Sequence, residues 1–282
     1  MTSQSQAASG RLLAGRFDRR QLALLCALFG LAVIAWVLTD DRMAGMDEGP
    51  GTALGSLGFY VTVWVTMMAA MMFPSAAPMV LAYARIQAHR RTQGRRVPPA
   101  AAGVFVAGYL VAWAAFGVAA YALFALVDSL SIGVLAWDRG GRYLAGAVIC
   151  AAALYELTPA KDVCLSKCRG PLDFLMGGWR EGYGGAVGMG LRHGAWCVGC
   201  CWALMAALFA LGVMSIGWMV FVSALIAAEK LLPWRAATTR SVALLLIVLG
   251  IAVAAAPHRV PGLTTPHSGH GGAMSAMQKD AH

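Results

Sequence analysis

Charge is scarce in this chain. Only 12% of its residues are Asp, Glu, Lys or Arg, against 59% apolar, and its mean hydropathy is +0.66. A soluble domain usually carries about 25% charged residues, so this chain has too little polar surface to cover itself in water. It also lacks a polar stretch long enough to form a soluble core of its own. The largest interruption, residues 158–194, is too short for one. There is no GxxxxGK[ST] run, which excludes ATP hydrolysis at a P-loop within the chain. The seven cysteines are odd in number and unevenly spaced, unlike a secreted disulfide framework. The doubled CxxC of a zinc module is missing, and so is any regular internal repeat.

What the chain has in abundance is long apolar runs. A membrane-crossing helix needs about 17–25 predominantly apolar residues. Candidate segments lie at 21–38, 58–84, 100–127, 143–157, 195–213, 215–229 and 241–256, the fourth, sixth and seventh of them short. A tight turn at Gly212–Ser215 separates the fifth from the sixth. The expected fold is all-α: a polytopic membrane helix bundle of about seven transmembrane helices. The run from Leu22 has no convincing small-residue cleavage site after it and reads as a retained first span.

The net charge of +9 would point a soluble protein toward nucleic acid. Here the basic residues fall in alternate connections, and the reading is a bilayer partner and no nucleic acid. Arg11, Arg16, Arg19 and Arg20 precede the first span, RIQAHRRTQGRRV follows the second, Lys161, Lys167, Arg169, Arg180 and Arg192 follow the fourth, and Lys230, Arg235 and Arg240 follow the sixth. Opposite them lies the acidic loop TDDRMAGMDEG. Basic connections stay inside, so the N-terminus is expected inside and the C-terminus outside. This divides the chain into a basic cytoplasmic segment 1–20, a single transmembrane bundle domain 21–256 with a cytoplasmic cysteine-containing loop at 158–194, and a flexible extracytoplasmic tail 257–282 bearing His and Met.

The chemistry concentrates in HGAWCVGCCWALM, residues 193–205. Spacings of three and four return to one helical face, which aligns His193, Cys197, Cys200 and Cys201. One helix does not wrap an ion, so a second element must contribute. KDVCLSKC (161–168) offers Cys164 and Cys168, four residues apart and expected on the same side of the membrane. Thiolate and imidazole suit zinc and other borderline metals, while thiolate and thioether favour Cu(I). The lysines and arginines nearby favour reactive thiolates, so CVGC equally permits thiol redox chemistry. Cys26 and Cys150 read as small apolar residues.

The second span carries WVTMMAAMMFPSAAPM, with Met67 and Met71 on one face and Met68 and Met72 on another. Such thioethers can pass a soft cation along a membrane path or simply fill packing gaps. Pro74 and Pro78 each remove a helix donor, which makes this a binding or hinge region, or a packing kink, with Ser75 available to satisfy a freed carbonyl. Glu156 and Glu229 end the fourth and sixth spans. Lys161 or Arg192 can pair with Glu156, or Glu156 can join a metal, or both acids can be interfacial anchors. Met43, Met46, Asp47 and Glu48 outside, with the tail's His258, His267, His270, Met274, Met277 and His282, can collect copper or zinc loosely.

Taken together, WVTMMAAMMFPSAAPM (64–79), YELTPAKDVCLSKCRGPLDF (155–174), WREGYGGAVGMGLRHGAWCVGCCWALM (179–205) and SIGWMVFVSALIAAEK (215–230) resemble a bacterial family of predicted metal-binding integral membrane proteins, domain of unknown function 2182. The resemblance covers roughly Gly58–Leu232. It implies a multi-span protein of the bacterial inner membrane. Its motif positions are Met67, Met68, Met71, Met72, Pro74, Ser75, Tyr155, Pro159, Lys161, Cys164, Cys168, Gly190, His193, Gly194, Cys197, Gly199, Cys200, Cys201, Trp202, Glu229 and Lys230. Metal binding is itself a prediction for that family.

Three functions follow as expectations. The leading one is binding, with transport or delivery, of a soft transition metal such as copper, or else zinc. Its sites are Cys164, Cys168, His193, Cys197, Cys200, Cys201, Met67, Met68, Met71 and Met72, and its partner is a metal-delivery target or another membrane protein. The alternatives are a membrane thiol–disulfide oxidoreductase and a non-catalytic accessory subunit, for which the Gly- and Ala-rich helices suit close packing. Oligomeric state is open.

Overall fold

The computed structural model describes residues 19–43, 55–129, 140–212 and 215–260. The first eighteen residues, most of the acidic loop and the tail beyond residue 260 lie outside the described residues, and so do the expectations placed on them. Among the described residues every long element is a helix. In chain order these are α1 (Arg19–Met43), α2 (Leu57–Thr92), α3 (Ala101–Ser129), α4 (Arg142–Glu156), α5 (Pro159–Arg169), α6 (Pro171–Met176), α7 (Gly182–Leu211), α8 (Ile216–Leu231) and α9 (Arg235–Ala255).

Five of them, α1, α2, α3, α7 and α9, are long and apolar enough to cross a membrane. The sequence reading of seven spans counted two more that are shorter. The fourth candidate is α4, 15 residues, which bends by 66° into the polar α5. The cause is local. Thr158 precedes Pro159 and takes extended backbone (φ −81°, ψ 149°), as a residue before proline prefers, and its side chain accepts a hydrogen bond from Lys161 N at 3.3 Å. That cap and the proline at the first helical position start α5 afresh. The sixth candidate is α8, only 16 residues. At 1.5 Å per residue it reaches about 24 Å, short of a hydrocarbon core of about 30 Å. The turn at Gly212 does separate two helices, as its sequence suggests; Gly212 sits at φ +108°.

Pro74 and Pro78 do not break α2, which runs through both as one helix of 36 residues. Ser75 Oγ donates to the Met72 carbonyl at 3.0 Å, and Ser223 Oγ on α8 donates to the Met71 carbonyl at 3.2 Å. Hydroxyls therefore supply extra donors to this part of α2, in a stretch where two backbone N–H groups are missing.

The helices pack around two adjoining apolar cores. The larger joins α2, α3, α4, α5, α7, α8, α9 and the end of α1; the smaller joins α1, α2, α3, α6 and α7. Large apolar side chains remain on the outside, including Val37, Leu123, Leu244 and Val248, which is the dress of a bundle surrounded by lipid. Helices α3 and α7 approach each other closely. A Cβ at Gly190 would strike the Phe105 carbonyl oxygen, and one at Gly194 would lie 2.6 Å from Ala112 Cβ. The pair Gly190–Gly194 thus lets two backbones nearly touch. That contact carries the α3 side chains Phe105 and Tyr109 to the middle of α7.

Candidate metal centre

The sequence reading began the fifth span at residue 195 and set the cysteines at a helix entrance. The structure starts α7 at Gly182, so Cys197 stands about 22 Å along it at the usual rise. Glycine weakens an isolated helix, which is why GYGGAVGMGLRHG reads as a loop. Packing against α3 overrides that tendency. The cysteines are consequently in the bundle interior, on the side where α4 and α8 end.

Cys197, Cys200 and Cys201 are all buried, and their three sulfurs lie within 4.8 Å of one another, close enough to share one ion. Cys200 Sγ is 3.3 Å from Cys201 Sγ. A second element also reaches this group. Cys168, from α5, brings its Sγ to 3.7 Å from Cys200 Sγ. Cys164, one turn earlier, faces a different part of α7. It lies against Gly199, where a Cβ would come within 2.9 Å of its sulfur. Tyr155 Oη donates to the Gly199 carbonyl at 2.6 Å and pins the same spot to α4.

Two further groups reach Cys197. Lys230 Nζ, from the last turn of α8, is 3.0 Å from its sulfur and donates to Ser75 Oγ on α2 at 3.4 Å. Tyr109 Oη, from α3, is 3.1 Å from it. A buried ammonium needs a counter-charge, and a Cys197 thiolate supplies one. Sequence reasoning named Lys230 as a motif residue and as a basic residue of a connection, and missed Tyr109. The signal for Tyr109 was its place on the helix that the Gly190–Gly194 face must meet, which no spacing within α7 discloses.

His193 follows the helical periodicity but not the expected company. Its ring stacks on Tyr109 and Phe105 and takes Phe174 edge-on, with centroids 5.5, 6.0 and 5.6 Å away. It is buried in this aromatic cage with Nδ1 lacking a hydrogen-bond partner, and it does not fall within the group formed by the three cysteine sulfurs. Met67, Met68, Met71 and Met72 are all buried in the core that also holds the three cysteines, with Met205 and Met219 among them.

Glu156 and Glu229 are not interfacial anchors. Both are buried, and both pair with Lys161, at 2.5 and 2.8 Å. Arg192, the other candidate partner for Glu156, lies over the Phe174 ring instead. Arg169 closes the arrangement by donating to the carbonyl of Glu229 at 2.7 Å and to that of Leu232, capping the end of α8 in the manner basic residues do.

This is a helical bundle with membrane-spanning lengths and a buried, sulfur-rich centre whose donor set suits a soft metal. The model of the PpoB2 copper chaperone family matches residues 61–253, more than half of the chain, and the chain belongs to that family. The match is of the metal-related kind that the motifs pointed to, and it carries no statement about domain of unknown function 2182. No curated protein and no solved structure is detectably similar to the chain.

Proposed function

We propose that this protein is a multi-pass chaperone of the bacterial inner membrane that binds Cu(I) at the Cys168–Cys197–Cys200–Cys201 centre and hands it to a membrane partner or across the bilayer. The observation that carries the reading is the meeting of Cys168 with Cys200 at 3.7 Å beside the three clustered cysteines of α7. Four thiols with methionines around them, and no carboxylate or imidazole among the clustered ligands, favour Cu(I) over zinc on softness. Cys164 serves as an outlying thiol on the α5 side. His193 orients the segment through its ring contacts, and Met67, Met68, Met71 and Met72 line a thioether route along α2.

The orientation we propose has the N-terminus inside and the C-terminus outside. It sets the Arg90–Arg96 connection, α5 and the end of α8 on the cytoplasmic side, with α4 and α8 crossing as short spans that the bilayer meets by local thinning, so the thiols receive their cargo from the reducing compartment. Reporter fusions at the 93–99 and 130–139 connections test it, with opposite compartments expected. The metal reading is tested by anaerobic Cu(I) titration of the purified full chain. One equivalent should bind, and Cys197→Ser or Cys200→Ser should abolish it. Unchanged copper content in either variant overturns the site. Capture of a mixed disulfide in place of metal would favour the oxidoreductase reading.

A further inference from the structure

The metal reading leaves one buried group of charges unused. Lys161 Nζ lies between two carboxyl groups, Glu156 from the end of α4 and Glu229 from the end of α8, with all three side chains at most 2% exposed. One ammonium balances one carboxylate. The second is left over in the interior, where an unpaired charge costs several kcal/mol by the usual scale. The groups packed around the triad do not repair this. Arg169 spends its guanidinium on the backbone carbonyls of Glu229 and Leu232, Arg235 pairs with Asp162 on the far side of α5, and Tyr155 donates to Gly199. Lys230, next in sequence to Glu229, is turned toward Cys197 and Ser75.

Two geometric details point the same way. Glu156 Oε1 and Glu229 Oε1 are buried without a hydrogen-bond donor. One Lys161 ammonium lies within 2.8 Å of a carboxyl oxygen of each acid, so the two carboxyl groups share a single buried site. Like carboxylates sharing a site do not both ionise.

We infer that Glu156 and Glu229 form a buried proton-binding site that holds a single proton between them, leaving one negative charge to balance Lys161. The proton sits on a carboxyl oxygen of one acid or the other; no bond beyond that O–H is made or broken. The consequence for the metal centre rests on the function proposed above. The acid pair then contributes one negative charge, a Cys197 thiolate another, and Lys161 and Lys230 two positive ones. The interior is neutral, and a monovalent cation enters at the cost of one further proton from the cluster.

Infrared difference spectroscopy on the metal-free full chain tests the proton directly. Wild type should show the carbonyl stretch of a protonated carboxyl, shifted by deuterium exchange, and it should vanish in both Glu156→Gln and Glu229→Gln. Each glutamine replaces the neutral partner and leaves the other acid ionised against Lys161. A wild-type spectrum without the band, or a band that survives either substitution, overturns the site. This arm does not depend on copper, so it stands apart from the metal reading. The second arm is Cu(I) affinity. Each single glutamine variant should bind within about threefold of wild type, while the double variant, with Lys161 unbalanced, should lose about tenfold or more. Single variants that lose as much as the double one would mean that both acids are ionised, and would overturn the inference.

Discussion

Lys230 Nζ lies 3.0 Å from Cys197 Sγ, joining the last turn of α8 to the middle of α7. The same ammonium donates to Ser75 on α2, so three helices meet at one charge. A group in that position does two things at once: it balances a thiolate, and it fixes where that thiolate points. Lys230→Met keeps the apolar stem and removes the charge. It should weaken Cu(I) binding by about 10- to 100-fold, the usual cost of losing a group that orients a ligand, with partial recovery in Lys230→Arg. Competition against a colorimetric Cu(I) chelator measures this, and wild-type affinity in the methionine variant would remove Lys230 from the site.

The α3–α7 contact makes a packing prediction. A Cβ at Gly190 meets the Phe105 backbone oxygen, and backbone cannot step aside as a side chain does. Gly190→Val should therefore destabilise the bundle by about 1–3 kcal/mol, the range for overpacking, and should weaken copper binding by drawing Tyr109 off Cys197. Gly188→Ala, with nothing within 4 Å of the added carbon, is the control and should not destabilise, helix propensity favouring it by up to about 1 kcal/mol. Thermal unfolding in detergent reads both.

How much of this was legible in the sequence depends on where each constraint originates. The partnership of residues 161–168 with 197–201 was readable, because spacings of three and four put sulfurs on one face and one helix cannot enclose an ion. The start of α7 was not. Its glycines carry a local signal for loop and a non-local signal for close packing, and only the presence of α3 decides between them. His193 shows the same limit: periodicity set its face correctly, while its neighbours Phe105, Tyr109 and Phe174 come from α3 and α6. Helix α2 is buried on most sides between Trp64 and Tyr83, so the two methionine faces of the sequence reading merge into one buried set. The acids at the ends of α4 and α8 were visible as odd charges beside apolar runs; that they share Lys161 follows from the bend at Thr158–Pro159.

Away from the bundle interior, Glu181 accepts hydrogen bonds from Arg95, at 3.0 Å, and from Arg90. These bonds, that from Arg95 foremost, hold its carboxyl below the usual carboxylate range. A carboxyl depressed in the folded state stabilises above its ordinary value of about 4.3 and loses that contribution as pH falls through the lower folded value. Trp179 lies under Arg90 and stacks on Tyr83, so this contact ties the start of α7 to the end of α2. Amide hydrogen exchange in residues 177–183 should quicken, relative to the intrinsic rate, once the pH drops below the ordinary Glu range. Glu181→Gln should show the faster exchange already at neutral pH, and equal protection in the two proteins would mean that the ion pair does not hold the segment.

The two cysteines of α5 separate the centre from its surroundings. Cys168 and Cys164 share a helix, a face and a distance of one turn, yet only Cys168 brings its sulfur to Cys200, while Cys164 rests on Gly199. A site defined by helical periodicity alone treats them alike; a site defined by sulfur-to-sulfur distance does not. Cys168→Ser should cost Cu(I) affinity by about tenfold or more, roughly 1.4 kcal/mol upward. Cys164→Ser should leave equilibrium affinity unchanged and, if Cys164 is an outlying docking thiol, slow the rate of loading from a glutathione-bound donor. Stopped-flow loading and chelator competition on the two variants separate these outcomes. Equal losses of affinity from both would place Cys164 among the ligands and require α5 to turn toward α7 when the metal binds.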